Sequence, residues 1–394
     1  MLNKYLLVLF SGIIQGIAWM GFELPCVINE RFTEYINLKS DKITLYSFMF
    51  YAAPNVITSL FLGNYISKRN LNLVTVLCLL IFIGNLLFFL GMKIHFLSVM
   101  MVGKIIAGIG GEGFTINQNR IIALHFRGKE LALALSILTI LGKVGSLFAY
   151  IILPTYIKKY SPIHVVFFLV LLSAAGFILG IWLSTVENIK ENREDEKGKE
   201  KLSFSFIIFI LTVLSFYFAW SIFHGSIIYI FNRKFKFENE KSCKLLGLTE
   251  LLTIFLCICI NNISDYYGNK LNFMFIGCSS ISLAVLLIYY EIKLIYLIGV
   301  LVSIGYSFFS CFWACTPLLI NQLGFGYACL HMYNQYFLLR TSTYNQFFIN
   351  NDPDYIKTLR FISFNQIISI LFISLLFYVN LKFNLKMNKP EIKK

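Results

Sequence analysis

The stretch Thr185-Val-Glu-Asn-Ile-Lys-Glu-Asn-Arg-Glu-Asp-Glu-Lys-Gly-Lys-Glu-Lys-Leu202 is a dense run of mixed charge in a chain otherwise poor in charge. Such a run reads as a solvated linker. Six apolar stretches precede it: Tyr5–Ile28, Ile43–Ile66, Leu71–Gly91, Phe96–His125, Glu130–Leu153 and Ile163–Ser184. Six follow: Phe204–Phe231, Cys243–Ile263, Leu271–Tyr290, Leu294–Ile320, Phe325–Ile349 and Thr358–Val379. A helix needs about 20 mostly apolar residues to cross a bilayer. These runs reach that length, are far too long for barrel strands and lack an in/out alternation. The expected fold is therefore an all-α membrane protein of twelve transmembrane helices in two six-helix halves. Its parts are residues 1–184, a charged linker 185–203, residues 204–380, and a basic tail 381–394.

Composition agrees. Of 394 residues, 58% are hydrophobic and 14% charged, against about 25% charged in an ordinary soluble domain. Mean hydropathy is +0.73. A soluble fold cannot hide so much apolar surface, and disorder requires the opposite balance. The net charge of +14 does not imply nucleic acid, because Lys and Arg are scattered rather than striped. They divide almost evenly between the two expected membrane faces, so the positive-inside rule does not orient the chain. No cleavable signal peptide is expected, since the first apolar run is too long for a secretory h-region.

Gly108-Ile-Gly110-Gly111-Glu112-Gly113 fits a dinucleotide fingerprint, but that fingerprint needs a preceding strand and an aqueous loop. Here it lies midway along an apolar span, where small residues let helices approach closely. Cys257-Ile-Cys259 and Cys311-x-x-x-Cys315 lack the partners a metal site requires. The sequence has no Ser/His or Asp/Asp pair at helical spacing and no His/Glu metal motif. We therefore expect no enzyme activity, no cofactor and no metal.

Two loops occupy equivalent places in the two halves. Gly63-Asn64-Tyr65-Ile66-Ser67-Lys68-Arg69 follows the second span, and Ser264-Asp265-Tyr266-Tyr267-Gly268-Asn269-Lys270 follows the eighth. The second resembles the loop signature of the major facilitator superfamily. The first keeps Gly63 and the basic pair Lys68-Arg69, with Ser67 in place of the acid. The resemblance implies that both loops, and both termini, are cytoplasmic. It gives Asp265, Gly268 and Lys270 a gating or structural part, with Asp265 capping a neighbouring helix.

Further segments resemble the lysosomal dipeptide transporter branch of that superfamily. They are Gly108-Ile-Gly-Gly-Glu112, Gln118-Asn119, Gly128-Lys-Glu-Leu131 and Lys143-Val-Gly-Ser146. Others are Glu23-Leu-Pro25, Pro54-Asn-Val56, Gly305-Tyr-Ser307, Trp313 and Gln322-Leu-Gly324. Lys104 and Lys143 stand where that branch carries Arg. The resemblance implies alternating-access uniport of a dipeptide, a lysosomal or lysosome-like membrane with the plasma membrane as alternative, and lipid as a partner. It also admits an accessory glycoprotein subunit.

The residues support a transport reading independently. Glu112 and Lys143 lie near the middle of the fourth and fifth spans, where a charge costs about 2.5–3.5 kcal/mol on insertion scales and normally faces a cavity or partner. Their midpoint falls in the turn joining those spans, so the two sit at similar depth. One acid and one base lining one cavity suit a zwitterion. The competing expectation is an ion pair that only fastens two helices. Asn119 shares the face of Glu112 and Thr115 by i, i+3, i+7 spacing. Glu23 is expected near the luminal mouth, selecting cationic side chains, and Tyr306 and Trp313 from the second half. For Lys104 and Arg120, nearer the span ends, snorkelling is weighed at least equally with a place in the cavity. The alternatives are a proton-coupled amino acid or organic solute symporter, and a non-transporting scaffold or receptor on the same fold.

Overall fold

The computed structural model describes residues 4–27, 35, 42–69, 73–126, 130–186, 203–237, 239–332, 335–336 and 355–390. Among these, all regular structure is helical. The first part of the chain forms α1 (Lys4–Val27), α2 (Lys42–Arg69), α3 (Val74–Lys93) and α4 (Leu97–Phe126). Then come α5 (Leu131–Ile151), the short α6 (Leu153–Lys159) and α7 (Pro162–Val186). The second part forms α8 (Phe204–Lys234), α9 (Asn239–Tyr267), α10 (Lys270–Tyr289), α11 (Ile295–Phe309), α12 (Phe312–Leu319) and, after a helical stretch at 323–332, α13 (Ile356–Lys382).

Ten segments of described helix are long and apolar enough to cross a membrane. Two of the twelve expected spans fall outside that set. One is α2, which is helical over 28 residues but interrupted by Pro54 and less apolar than its neighbours. The other is the expected span 325–349, of which 333–334 and 337–349 lie outside the described residues. The expected tenth span is present but jointed. It runs Ile295–Leu319 and turns tightly at Ser310 and Cys311, where Trp313 and Ala314 donate to Ser310 and Cys311 at 3.3 and 3.2 Å. These are i→i−3 bonds, the signature of a tightened turn. The charged linker lies outside the described residues, but its exit is defined: Ser203 Oγ accepts the Phe206 amide at 3.1 Å and caps α8.

The chain divides into two compact units. One comprises Met1–Ile121, Ile137–Lys197 and Tyr327–Thr343; the other comprises Ile122–Ser136, Gly198–Gly326 and Tyr344–Lys394. In the first, α1 and α3 pack on α7. Met20, Leu24, Phe88, Met92, Met100 and Val166 form part of one core cluster. In the second, α8 packs on α13, and α11 on both α9 and α10. The outward side chains are apolar as well: Phe61, Ile178, Phe255 and Leu371 stand largely exposed. That arrangement suits lipid, whose tails are as apolar as the side chains they meet.

Glycine sets the closest approaches. A Cβ on Gly145 of α5 would fall on the carbonyl of Gly16 in α1, and one on Gly103 of α4 would come within 2.6 Å of the Gly84 carbonyl in α3. The expected role of Gly108–Gly113 in helix packing has a concrete form. A Cβ on Gly108 or Gly111 would strike Tyr51 of α2, and a Cβ on Gly110 would strike the α3 backbone at Leu77 and Ile81. The α4 glycines thus admit a neighbour on two sides, and Glu112 sits between them.

In hydrocarbon every backbone polar group needs an internal partner. Pro25 has no N–H to give the Gly21 carbonyl four residues back. Lys104 supplies the missing donor: its Nζ lies 2.7 Å from that oxygen and 4.6 Å from the Phe88 ring centroid. The snorkelling reading of Lys104 and Arg120 is therefore corrected. They are 3% and 1% exposed, and Lys104 is held by the carbonyl that a proline leaves open.

Substituting Gly145 with Val forces α1 and α5 apart, and overpacking of this kind costs about 1–3 kcal/mol or more. The purified protein should melt at clearly lower temperature or fail to insert. Gly176→Ala should be tolerated, since the new Cβ would meet only the flexible end of Ile17 at 3.2 Å. Equal melting temperatures for the two variants would contradict this account of the packing.

Candidate functional site

The first unit gathers its polar residues on α4. Ser11 Oγ donates to Gln118 Oε1 at 2.9 Å, and Gln15 Nε2 to Thr115 Oγ1 at 3.0 Å. Thr115 in turn donates to the Gly111 carbonyl at 3.0 Å, one turn back. These bonds fix the rotation of α4 against α1. The next residue on that face is Glu112.

Glu112 accepts two donors. Tyr51 Oη donates to Oε1 at 3.3 Å, and the Nδ1 of His331 lies 3.1 Å from Oε2. The other ring nitrogen, Nε2, lies 3.3 Å from Asn119 Nδ2. Three elements of sequence thus converge: α2, α4 through two positions seven apart, and the helical stretch 323–332. The Glu112 side chain keeps 13% of its surface exposed, against 6% for His331. Among the described residues Tyr51 and His331 are the partners of Glu112, so the carboxylate is not spent on fastening α4 to α5 through Lys143.

Lys143 is buried on α5 at 5% exposure. Glu112 lies 14 residues before the end of α4 at Phe126, and Lys143 12 residues after the start of α5 at Leu131. At 1.5 Å per residue these are ~21 and ~18 Å along the two helices, which keeps the expected match in depth. Glu23 of α1 accepts the Tyr150 hydroxyl at 2.7 Å through Oε2. Asn119 is 4% exposed and belongs to the Glu112 network through His331.

The remaining expected residues lie elsewhere. Tyr306 and Trp313 fall in the second unit. Tyr306 packs on Trp220 with centroids 5.0 Å apart, and Trp313 packs on Phe312 at 4.3 Å. His224 lies 3.3 Å from Glu250 in the same unit. Gly63 is buried within α2. The backbone of Lys68 and Arg69 ends that helix, and their side chains lie outside the described residues.

Asp265 is placed to cap a helix. Its two carboxylate oxygens accept the Ala132 and Leu133 amides at 3.1 and 2.8 Å, in the first turn of α5. Those amides have no intrahelical acceptor, and the positive end of the helix dipole favours the carboxylate. Gly268 has φ +78°, which favours glycine. A Cβ there would also collide with the Asn388 carbonyl. The tail reaches that loop: Asn269 donates to the Asn388 carbonyl at 3.0 Å, and the Leu271 amide to Asn388 Oδ1 at 2.9 Å. Lys270 is fully buried at the start of α10.

Sequence reasoning missed His331 and Tyr51. One His in an apolar span is usually a hydrogen-bonded core residue, and Tyr51 is one of 22 tyrosines. The available signal was the Pro54-Asn55-Val56 segment, one turn beyond Tyr51. There Asn55 Nδ2 donates to the Tyr51 carbonyl at 2.8 Å.

Comparisons with known proteins agree with this architecture. The lysosomal dipeptide transporter MFSD1 of Danio rerio is 26% identical over 149 residues, covering 37% of this chain and 32% of that protein. The protein of the same name from Mus musculus is 25% identical over 132 residues, or 33% and 28% of the two chains. The chain thus spans about a third of the length of these curated relatives. The human organic anion transporter MFSD10 superimposes with a TM-score of 0.72 at 12% identity, covering 95% of this chain and 99% of that one. A bacterial homologue of the iron transporter ferroportin, in its outward-facing state, does so at 0.74 and 12%, covering 97% and 100%. Identities this low speak to the fold alone. Residues 8–336 match the profile of the Major Facilitator Superfamily. The chain is a multi-pass membrane protein and belongs to that superfamily.

Proposed function

We propose that this chain is an alternating-access uniporter of small zwitterions, dipeptides above all, with cationic ones included. The observation that carries the reading is the Glu112 carboxylate. It is held mid-helix by Tyr51 and His331, it remains partly exposed, and Lys143 is buried at matched depth on the next helix. Glu112 takes the substrate's ammonium and Lys143 its carboxylate. A peptide has both groups, and an ion pair that spans the ligand needs a charge of each sign. Asn119 and Glu23 complete the polar lining, with Glu23 favouring a cationic side chain; Tyr306 and Trp313 supply aromatic walls. The segments shared with the lysosomal dipeptide transporters support this substrate class.

In the same reading, both termini face the cytoplasm and the six-helix halves 1–184 and 204–380 are the working parts of the cycle. The membrane is that of a lysosome or a similar vacuole, and an accessory glycoprotein subunit accompanies the carrier. Asp265 releases and re-forms its cap on α5 as the carrier turns over, with Gly63, Lys68, Arg69, Gly268 and Lys270 completing the two gating loops. Proton coupling is the second reading. The observation that favours it is the contact of a carboxylate with an imidazole, two groups able to exchange a proton.

Purified protein in proteoliposomes should take up labelled dipeptides across a cationic, neutral and anionic panel. Glu112→Gln and Lys143→Ala should each remove about 2–5 kcal/mol of binding, as when one partner of a buried charged pair is truncated. That is about thirtyfold or more in uptake at low substrate. Normal transport by either folded variant would refute the assignment. An imposed pH gradient should drive no accumulation of substrate beyond equilibrium in the wild type, whereas accumulation driven by the gradient would establish the symport reading. Asp265→Asn should slow maximal turnover with little change in KM; a change confined to KM would place Asp265 in the substrate site instead.

A further inference from the structure

A two-charge substrate site gives His331 no part, yet this residue touches the acid on which that site depends. Its ring bridges two positions of α4, with Nδ1 on Glu112 Oε2 at 3.1 Å and Nε2 on Asn119 Nδ2 at 3.3 Å. An amide nitrogen only donates, so Nε2 accepts from Asn119. The neutral ring then carries its proton on Nδ1 and donates it to the carboxylate. The tautomer is set by the neighbours on both sides, as it is where a histidine is held for a purpose. With Tyr51 on Oε1, each carboxylate oxygen has one donor. A carboxylate offers about four acceptor positions, and the two left over belong to the more exposed partner of the pair.

We propose that His331 is a positioning residue for Glu112, holding the carboxylate toward a ligand's primary ammonium and yielding that role when the ring is protonated. This rests on the reading of Glu112 as the amine-binding group. Protonation at Nε2 sets one N–H against another at Asn119 and breaks that bond. It also leaves an imidazolium on Oε2, a cation competing with the ligand's own. Acid therefore weakens binding of the amine without any movement of the helices. Charged and titratable groups on the neighbouring elements include Glu23 on α1, Tyr51 on α2, Lys104, Glu112, Arg120 and His125 on α4, Lys143 and Tyr150 on α5, and Tyr327 on the stretch that bears His331. Tyr51 and Glu112 touch it directly, and Glu23 acts electrostatically on Tyr51. Imidazole is the side chain that ordinarily changes charge between pH 5 and 8, so this window is the one to scan.

The test has a ligand-free arm and a transport arm, both on the full chain. The protein has five histidines, so nitrogen NMR of 15N-histidine-labelled protein in nanodiscs can isolate His331 by the signal lost in His331→Asn. At pH 8 that signal should report the Nδ1–H tautomer. In Glu112→Gln the tautomer preference should relax. An Nε2–H tautomer in the wild type, or a tautomer preference unchanged in Glu112→Gln, would overturn the proposal.

The transport arm uses labelled lysyl-alanine in proteoliposomes with equal pH on both faces. Wild-type KM should rise about fivefold or more between pH 7.5 and 5.5, with maximal rate less affected. In His331→Asn an amide donor takes the place of Nδ1–H and does not titrate, so transport should persist with KM nearly flat. Wild-type pH dependence of KM in that variant would also overturn the proposal. If the wild type moves no dipeptide, the proposed function fails, and the ligand-free arm alone decides whether His331 positions the carboxylate.

Discussion

A polar group inside hydrocarbon has no water to turn to, and the structure is organised by that constraint. Lys104 is the clearest instance. Pro25 leaves the Gly21 carbonyl without its usual donor, and the Lys104 amine from another helix takes the vacant place. Three ladder bonds between α9 and α11 follow the same rule. Ser303 and Ser307 donate to the carbonyls of Thr249 and Thr253, and Asn261 donates to Ser310. Each donor answers an acceptor on a neighbouring element, the first two bonds one turn apart and the third about two turns further along α9. These bonds hold α11 against α9 up to the joint at Ser310, where the span changes direction.

The same constraint gives the glycines their meaning. Helices in lipid gain little from burying apolar side chains against one another, so close contact and hydrogen bonds must hold them. A glycine brings backbones near enough for both. Gly108 and Gly111 let Tyr51 reach α4, and it is this approach that sets the tyrosine hydroxyl on Glu112. The packing motif and the polar network are thus one feature of the sequence, with the small residues admitting the donor that the acid requires.

Much of the architecture was legible in the sequence because a span is a local property. Length and hydropathy give ten of the twelve expected spans directly. Of the other two, α2 is interrupted by Pro54 and is less apolar than its neighbours, and the 325–349 stretch lies largely outside the described residues. The capping role of Asp265 was suggested by the motif loop, whereas the helix it caps, whose amides lie 132 and 133 residues earlier, was not. His331 was not legible. Its role depends on 219 residues of separation from Glu112, a spacing to which no periodicity applies. The snorkelling reading of Lys104 failed for a related reason: its acceptor exists only because of a proline 79 positions earlier in the chain.

Two acid–imidazole pairs occur among the described residues, and their exposures separate them. In the Glu112–His331 pair the acid is the more exposed partner, at 13% against 6%. In the Glu250–His224 pair the order is reversed, with the acid at 5% and the imidazole at 26%. In the first pair the carboxylate side chain is thus the more accessible of the two. A ligand reaching the second meets a ring already flanked by Trp220, 5.7 Å away, with the acid behind it. The two pairs share the same functional groups and are not interchangeable. The first presents a negative charge for an ammonium to displace its neighbours from. The second keeps its charge as a counterpart for its own histidine, where burial raises the cost of losing that partner. The order of exposure within each pair supports the proposal that Glu112, rather than Glu250, receives a substrate's amine.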